Sequence, residues 1–142
     1  MFCVRKTQVY KFMSETIIII PSRMAAKRLP GKPLLKLNNK TIITNVFKRA
    51  EKANLGKVYV ATEDHAIYEE VKKNHGNCIM TQKGHKSGSD RIFEAISNLN
   101  LEKIKYVINL QGDEPLINPE DIKKLNSYVT LNNLDLGTLA AN

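Results

Sequence analysis

Hydrophobic and polar positions follow two different periods along this chain, and each change of period marks an element. The first clear signal is TIIII over residues 16–20, closed by Pro21. An unbroken β-branched run without polar alternation predicts a strand buried on both faces, as in a parallel sheet. A polar stretch over 22–40 follows, interrupted by Pro30, Gly31 and Pro33. Over 41–53, Ile42, Ile43, Val46, Phe47 and Ala50 recur at helical spacing, which predicts an amphipathic helix. KVYVAT over 57–62 predicts a second strand. Asp64 is a candidate cap for a helix running to about Asn74, with Gly76 as its stop signal. NCIMT over 77–81 predicts a third strand, and a loop holding Gly84 and Gly88 leads into a helix over 90–99. YVINL over 106–110 predicts a fourth strand. Asn118-Pro119-Glu120-Asp121 joins a capping side chain, a first-turn proline and acidic residues, which together start a final helix.

This β-α-β-α-β-α-β-α order predicts an α/β fold with a mainly parallel sheet and helices on both faces. Ligands in such sheets sit beyond the carboxyl ends of the strands. The candidate site is therefore the set of loops 22–40, 62–65, 81–90 and 111–118. Residues 1–15 have no clear period and read as an N-terminal extension to a single unit over 16–142. Within them, Met13 opens the compact segment MSETIIII and is a candidate alternative start.

Length and composition narrow the class. At 142 residues, 42% hydrophobic and 25% charged, the chain is an ordinary globular length with a modest core. The net charge of +8 is concentrated: residues 16–50 contain no acid but hold Arg23, Lys27, Arg28, Lys32, Lys36, Lys40, Lys48 and Arg49. A local cationic segment suits a polyphosphate or another compact anion. Nucleic-acid binding calls for a broader basic face with stacking aromatics, and aromatics are only 6% here. Cys3 and Cys78 show no metal-ligand spacing, which fits reduced thiols in a cytoplasmic protein. No apolar run approaches the ~18 residues of a membrane span, so neither nucleic acid nor membrane is an expected partner.

The loop after the first strand offers Arg23, Arg28 and Lys32, stiffened by prolines and relaxed at Gly31. Arginine forks match phosphate oxygens and lysine acts as a point charge. A basic surface loop without a ligand is the alternative. The fourth strand ends in Gln111-Gly112-Asp113-Glu114-Pro115. A carboxylate there, facing a phosphate loop, is where Mg2+ would be held, and Asp113 is the candidate. Glu114 is read as bracing or capping the turn. In the loop HKSGSDR, Ser87, Ser89 or Asp90 can cap the next helix, and its free backbone N–H groups can hold a base or ribose. His65, His75 and His85 show no metal spacing and are read as surface or helix residues.

IIIIPSRMAAKRLPGKPL, VYVATED, CIMTQKGHKSGSDR and VINLQGDEPLI, in that order, resemble the 3-deoxy-manno-octulosonate (Kdo) cytidylyltransferases, or CMP-Kdo synthetases. RLPGKPL together with NLQGDEP is the specific part. The CMP-sialic acid synthetases are similar in layout but differ in this wording, and an enzyme of that kind for another acid sugar is the alternative. The resemblance implies a Rossmann-like nucleotidyltransferase sheet, truncated relative to the family. It implies transfer of CMP from CTP to Kdo with Mg2+, releasing pyrophosphate, in the cytoplasm and for lipopolysaccharide synthesis. It implies triphosphate binding by Arg23, Arg28 and Lys32, with Arg23, Lys32 and Asp113 in the catalytic role and Asp113 on the metal. Ser22, Thr81, Ser87, Gly88 and Arg91 fall in nucleotide-contact segments, and Gln111 lies near the sugar. Family members continue well beyond the position of Asn142, into a second metal carboxylate, most of the sugar pocket and the surface of a homodimer. An inactive nucleotide-binding fragment is the remaining reading.

Overall fold

A computed structural model describes residues 14–25, 29–99 and 103–139. Its first strand, β1 (Thr16–Ser22), is buried along its whole length. Alternate isoleucines explain why the run is unbroken. Ile18 and Ile20 face one layer, with Phe47, Val46, Ile67 and Ile122, while Ile17 and Ile19 face the other, with Ile92 and Ala95. A side chain of this size is stabilised by roughly 1.5–3 kcal/mol on full burial.

The strand runs past the predicted stop at Pro21. Ile18 donates its N–H to Lys57 O, so even-numbered residues of β1 bond toward one neighbour. Odd-numbered residues, Pro21 among them, face the other neighbour, whose pairing ends opposite Ile19. The missing proline N–H therefore costs no ladder bond.

The segment read as plain loop holds two small elements. Lys32–Leu34 is a 3-10 turn entered through Gly31, whose φ of 75° suits glycine. Strands β2 (Lys36–Leu37) and β3 (Lys40–Thr41) form a hairpin around Asn38 and Asn39, both at positive φ. Asn-Asn tolerates the left-handed turn that such two-residue hairpins need.

Next come α1 (Ile42–Lys52), β4 (Val58–Thr62), α2 (His65–Lys73), β5 (Asn77–Met80), α3 (Gly88–Leu99), β6 (Tyr106–Asn109) and α4 (Pro119–Leu131). The order across the sheet is β5-β4-β1-β6, all parallel. α1, α2 and α4 supply one core layer and α3 the other, so helices cover both faces. Among the described residues β6 has a neighbour on one side only, and it alternates half-buried with exposed positions.

Helix ends follow their local chemistry except at the two ends of α2, where the expected cap Asp64 makes no side-chain bond to its own helix and Gly76 is not the left-handed stop. The Thr41 hydroxyl accepts from Thr44 N, and Asn118 Oδ1 accepts from Glu120 N. The left-handed residue closing α2 is His75, at φ 61°, and not Gly76. Gly76 is needed for space, because a Cβ there would lie 2.6 Å from Val71 Cγ1.

The order of the strands reverses at β1. The segments leaving β1 and β6 therefore diverge over a crevice, the usual ligand position of a doubly wound sheet. No helix among the described residues is long and apolar enough to cross a membrane.

Candidate nucleotide-binding site

A cleft of about 190 Å3 opens at this crevice. Pro21, Ser22 and Arg23 from the end of β1 form one wall, the 85–91 segment another, and Gln111 the third. A larger groove, about 490 Å3, runs along β6 and α4 beside the 135–139 segment. Its walls are more apolar, whereas Ser22, Arg23, Ser87, Gly88 and Arg91, all expected to bind a nucleotide, line the smaller cleft.

Ser22 is 7% exposed. Its Oγ is the one buried side-chain polar atom without a hydrogen-bond partner among the described residues. Such an orphan costs roughly 1–3 kcal/mol, which a ligand acceptor or donor would offset. Gly112 explains how the other wall comes so close. A Cβ there would sit 3.0 Å from Pro21 O and 3.5 Å from Ser22 Cβ, so only glycine lets the turn after β6 pass the end of β1 unhindered.

Lys32 and Asp113 meet across the crevice, with Lys32 Nζ donating to Asp113 Oδ2 at 3.0 Å. The expected phosphate cation and the expected metal carboxylate, 81 positions apart, are thus brought together. Both are partly exposed, so the pair itself contributes about 1 kcal/mol or less. Its partners remain open to exchange for a phosphate or a cation. Arg23 lines the cleft from an exposed position. Arg28 lies outside the described residues.

Arg91 is placed differently from a mobile phosphate clamp. Its side chain is 3% exposed, Nη2 donates to Glu63 Oε2 at 2.8 Å, and Nη1 donates to Thr81 Oγ1. Two residues expected to touch nucleotide, Thr81 and Arg91, thus bond to one another while Arg91 lines the cleft. The Arg91 hydrogen bond holds the Glu63 carboxyl below the ordinary glutamate range. Glu63 was not singled out from the sequence, although the loop that holds it, 62–65, was marked.

Ser87 and Asp90 form a reciprocal cap. Ser87 Oγ donates to Asp90 Oδ2 at 2.8 Å and accepts from Asp90 N at 3.1 Å. The capping alternative for the Ser87 and Asp90 side chains therefore holds, and this cap aims the start of α3 at the cleft. Gly88 packs there, its absent Cβ 3.2 Å from Pro21 Cγ.

His85, expected at the surface or on a helix, is a half-buried loop residue in the cleft wall. Its Nε2 pairs with Glu94 Oε2, and both Glu94 oxygens accept from Gln82 N. The His85 bond is the main reason the Glu94 carboxyl lies below its usual range. Gln111 Nε2 donates to Asn109 Oδ1 at 3.1 Å. Cys78 is set apart from this chemistry, because desolvation pushes its thiol up to about 12.

The donor set for a cation is small. Among the described residues no cluster of three or more His, Cys, Asp or Glu side chains is arranged to hold a metal ion. Asp113 at a strand end, beside a cationic loop, fits Mg2+ shared with phosphate oxygens and water, which needs only one or two carboxylates.

Comparison with known proteins agrees with this geometry. The profile of a family described as cytidylyltransferase matches residues 17–142. The chain is 46% identical over 129 residues to a 3-deoxy-manno-octulosonate cytidylyltransferase of Nitrobacter winogradskyi, covering 90% of this chain and 51% of that protein. It is 48% identical over 128 residues to the protein of the same name from Afipia carboxidovorans, covering 89% and 52%. A solved CMP:2-keto-3-deoxy-manno-octonic acid synthetase in complex with CTP superposes with a TM-score of 0.77 at 39% identity, over 83% of this chain and 48% of that one. A cytidylyltransferase from Leptospira borgpetersenii follows at a TM-score of 0.72 and 26% identity. The chain spans about half the length of the curated relatives it matches. A parallel sheet with its crevice at β1 and β6, a cationic loop facing a strand-end aspartate, and a profile match over nearly the whole described chain lead to one conclusion: this chain belongs to the cytidylyltransferase family.

Proposed function

We propose that this chain binds CTP in the 190 Å3 cleft and forms the nucleotide half of an enzyme that transfers CMP to Kdo. The observation that carries the reading is the pairing of Lys32 with Asp113 across the crevice beside the unpartnered Ser22 hydroxyl. Arg23 and Lys32 hold the triphosphate, and Lys32 leaves Asp113 for a phosphate oxygen when nucleotide enters. Ser22 Oγ gains its missing partner from the same ligand. The 85–91 segment, fixed by its cap and by Glu94, forms the nucleoside wall, and Gln111 stands on the sugar side.

The reaction is displacement at the α-phosphorus. The anomeric hydroxyl oxygen of Kdo forms a bond to that phosphorus, the bond to the bridging α–β oxygen breaks, and pyrophosphate leaves with its electron pair. The hydroxyl proton passes to solvent. Arg23 and Lys32 stabilise the charge that grows on the phosphates, which positioning and fixed charge accomplish without covalent catalysis. Bound Mg2+ supplies further neutralisation of the phosphates, and Asp113 is the residue that would hold it. The product serves lipopolysaccharide synthesis in the cytoplasm.

A second reading, CTP binding without turnover, is favoured because among the described residues Asp113 joins no cluster of three or more side chains arranged to hold a metal ion. Pyrophosphate release by the purified chain with CTP and Mg2+, measured with and without Kdo, separates the two. Kdo-dependent release supports the transferase. CTP-selective binding without release supports the second reading, and no binding of CTP refutes both.

A further inference from the structure

Asp64 breaks a local rule. It occupies the cap position of α2, where its backbone oxygen accepts from Tyr68 N at 3.1 Å. An aspartate there ordinarily bonds the amides of its own helix. The Asp64 side chain makes no such bond. Instead Oδ2 accepts from Met24 N, 40 positions away, at 2.7 Å. Asp64 is itself steadied by the enclosed Thr62, whose Oγ1 accepts from Asp64 N at 3.1 Å.

The Met24 peptide is the next residue after Arg23, and it is held from both sides. Its N–H goes to Asp64, and its carbonyl accepts from Gly31 N at 2.9 Å. Gly31 in turn opens the 3-10 turn that begins at Lys32. One carboxylate therefore anchors the point from which Arg23 and the turn carrying Lys32 depart. Departures from local preference collect where function constrains a chain.

We propose that Asp64 is a positioning residue for the cationic loop: its carboxylate fixes the Met24 peptide and, through it, the places of Arg23 and Lys32. The consequence for ligand rests on the nucleotide reading of the cleft; the contact does not. The role belongs to the hydrogen bond and not to the charge, since a carboxylate beside bound phosphates would otherwise repel them.

Three variants of the full chain test this. Asp64→Asn keeps a carbonyl oxygen to accept from Met24. Asp64→Ala removes the acceptor. Asp64→Ser retains a good helix cap but is one bond too short to reach Met24, so it separates capping from latching. Amide exchange at Met24 and Gly31, read by NMR, is followed alongside CTP affinity by calorimetry. Asn is expected to retain slow exchange at both amides and an affinity within about twofold of the parent. Ala and Ser are expected to speed exchange at Met24 and to raise the CTP Kd by up to about tenfold, the scale of one hydrogen bond. Unchanged Met24 exchange in both Ala and Ser overturns the proposal. So does an Asn variant as impaired as Ala, which would assign the effect to charge. If the parent chain fails to bind CTP, the nucleotide reading falls, while the exchange data still decide the latch.

Discussion

Removing the Glu63 carboxylate should destabilise this protein far more than its place at a loop suggests. Arg91 is 3% exposed and Glu63 16%, with 2.8 Å between Nη2 and Oε2. In Glu63→Ala the guanidinium keeps Thr81 Oγ1 but loses its counter-charge in a site with little access to water. Breaking a fully enclosed pair costs about 3–5 kcal/mol. Glu63 keeps some contact with solvent, which screens the pair, and this lowers the expected loss to about 2–3 kcal/mol. At about 3–5 °C per kcal/mol for a chain of this size, Tm should fall by about 6–15 °C. Urea denaturation and calorimetry measure both. Glu63→Gln should lose about half as much, because one hydrogen bond remains. The pH dependence follows from the lowered Glu63 pKa. The increment is complete above the unfolded value of roughly 4.3 and fades as pH falls through the lower folded value. The gap between parent and Glu63→Gln should therefore be constant near neutrality and close in acid. Replacing both partners by apolar residues, Glu63→Leu with Arg91→Met, should recover much of the loss. A Glu63→Ala chain within about 0.5 kcal/mol of the parent would refute the reasoning, since Arg91 would then be compensated by something else.

Three further outcomes are expected. Ser22→Ala removes an unpartnered buried hydroxyl, so stability should hold or rise by up to about 1 kcal/mol while CTP binding weakens, as paired denaturation and calorimetry would show. Gly112→Ala drives a Cβ to 3.0 Å from Pro21 O, a backbone atom that cannot swing aside; a loss of about 1–3 kcal/mol should appear in urea unfolding together with a weaker cleft. Asp113→Asn breaks only a partly exposed ion pair, so unfolding should change by about 1 kcal/mol or less, while under the proposed function any Kdo-dependent pyrophosphate release by the parent chain should disappear.

Parts of the site were legible because their chemistry is local. Ser87 and Asp90 cap the helix they precede, and Asn118 with Pro119 starts α4, because cap and capped amide lie two or three positions apart. Lys32 and Asp113 could be picked out as candidates from residue type and from their position after strands, and the fold pairs them. The Lys36–Thr41 hairpin was missed although Asn38-Asn39 is a turn signal, because Pro30 and Pro33 just before it made the whole stretch read as one loop. The long-range roles of Glu63 and Asp64 were missed for a stronger reason. Their partners, Arg91 and Met24, lie 28 and 40 positions away, and no periodicity reports such a pairing.

The amino-acid sequence by itself determined the elements and the class of fold. Four adjacent isoleucines can be buried only between two layers, and strands alternating with amphipathic helices can share only a covered parallel sheet. Tertiary structure alone decided the strand order, and with it which loops face each other. Placing β6 beside β1 sets Lys32 against Asp113 and crowds any side chain larger than glycine at 112. It also turned Arg91 into a buried brace and drew the Asp64 carboxylate away from its own helix. Backbone propensity acts over one turn of chain, whereas a side chain's partner is chosen by burial and distance after the layers have packed.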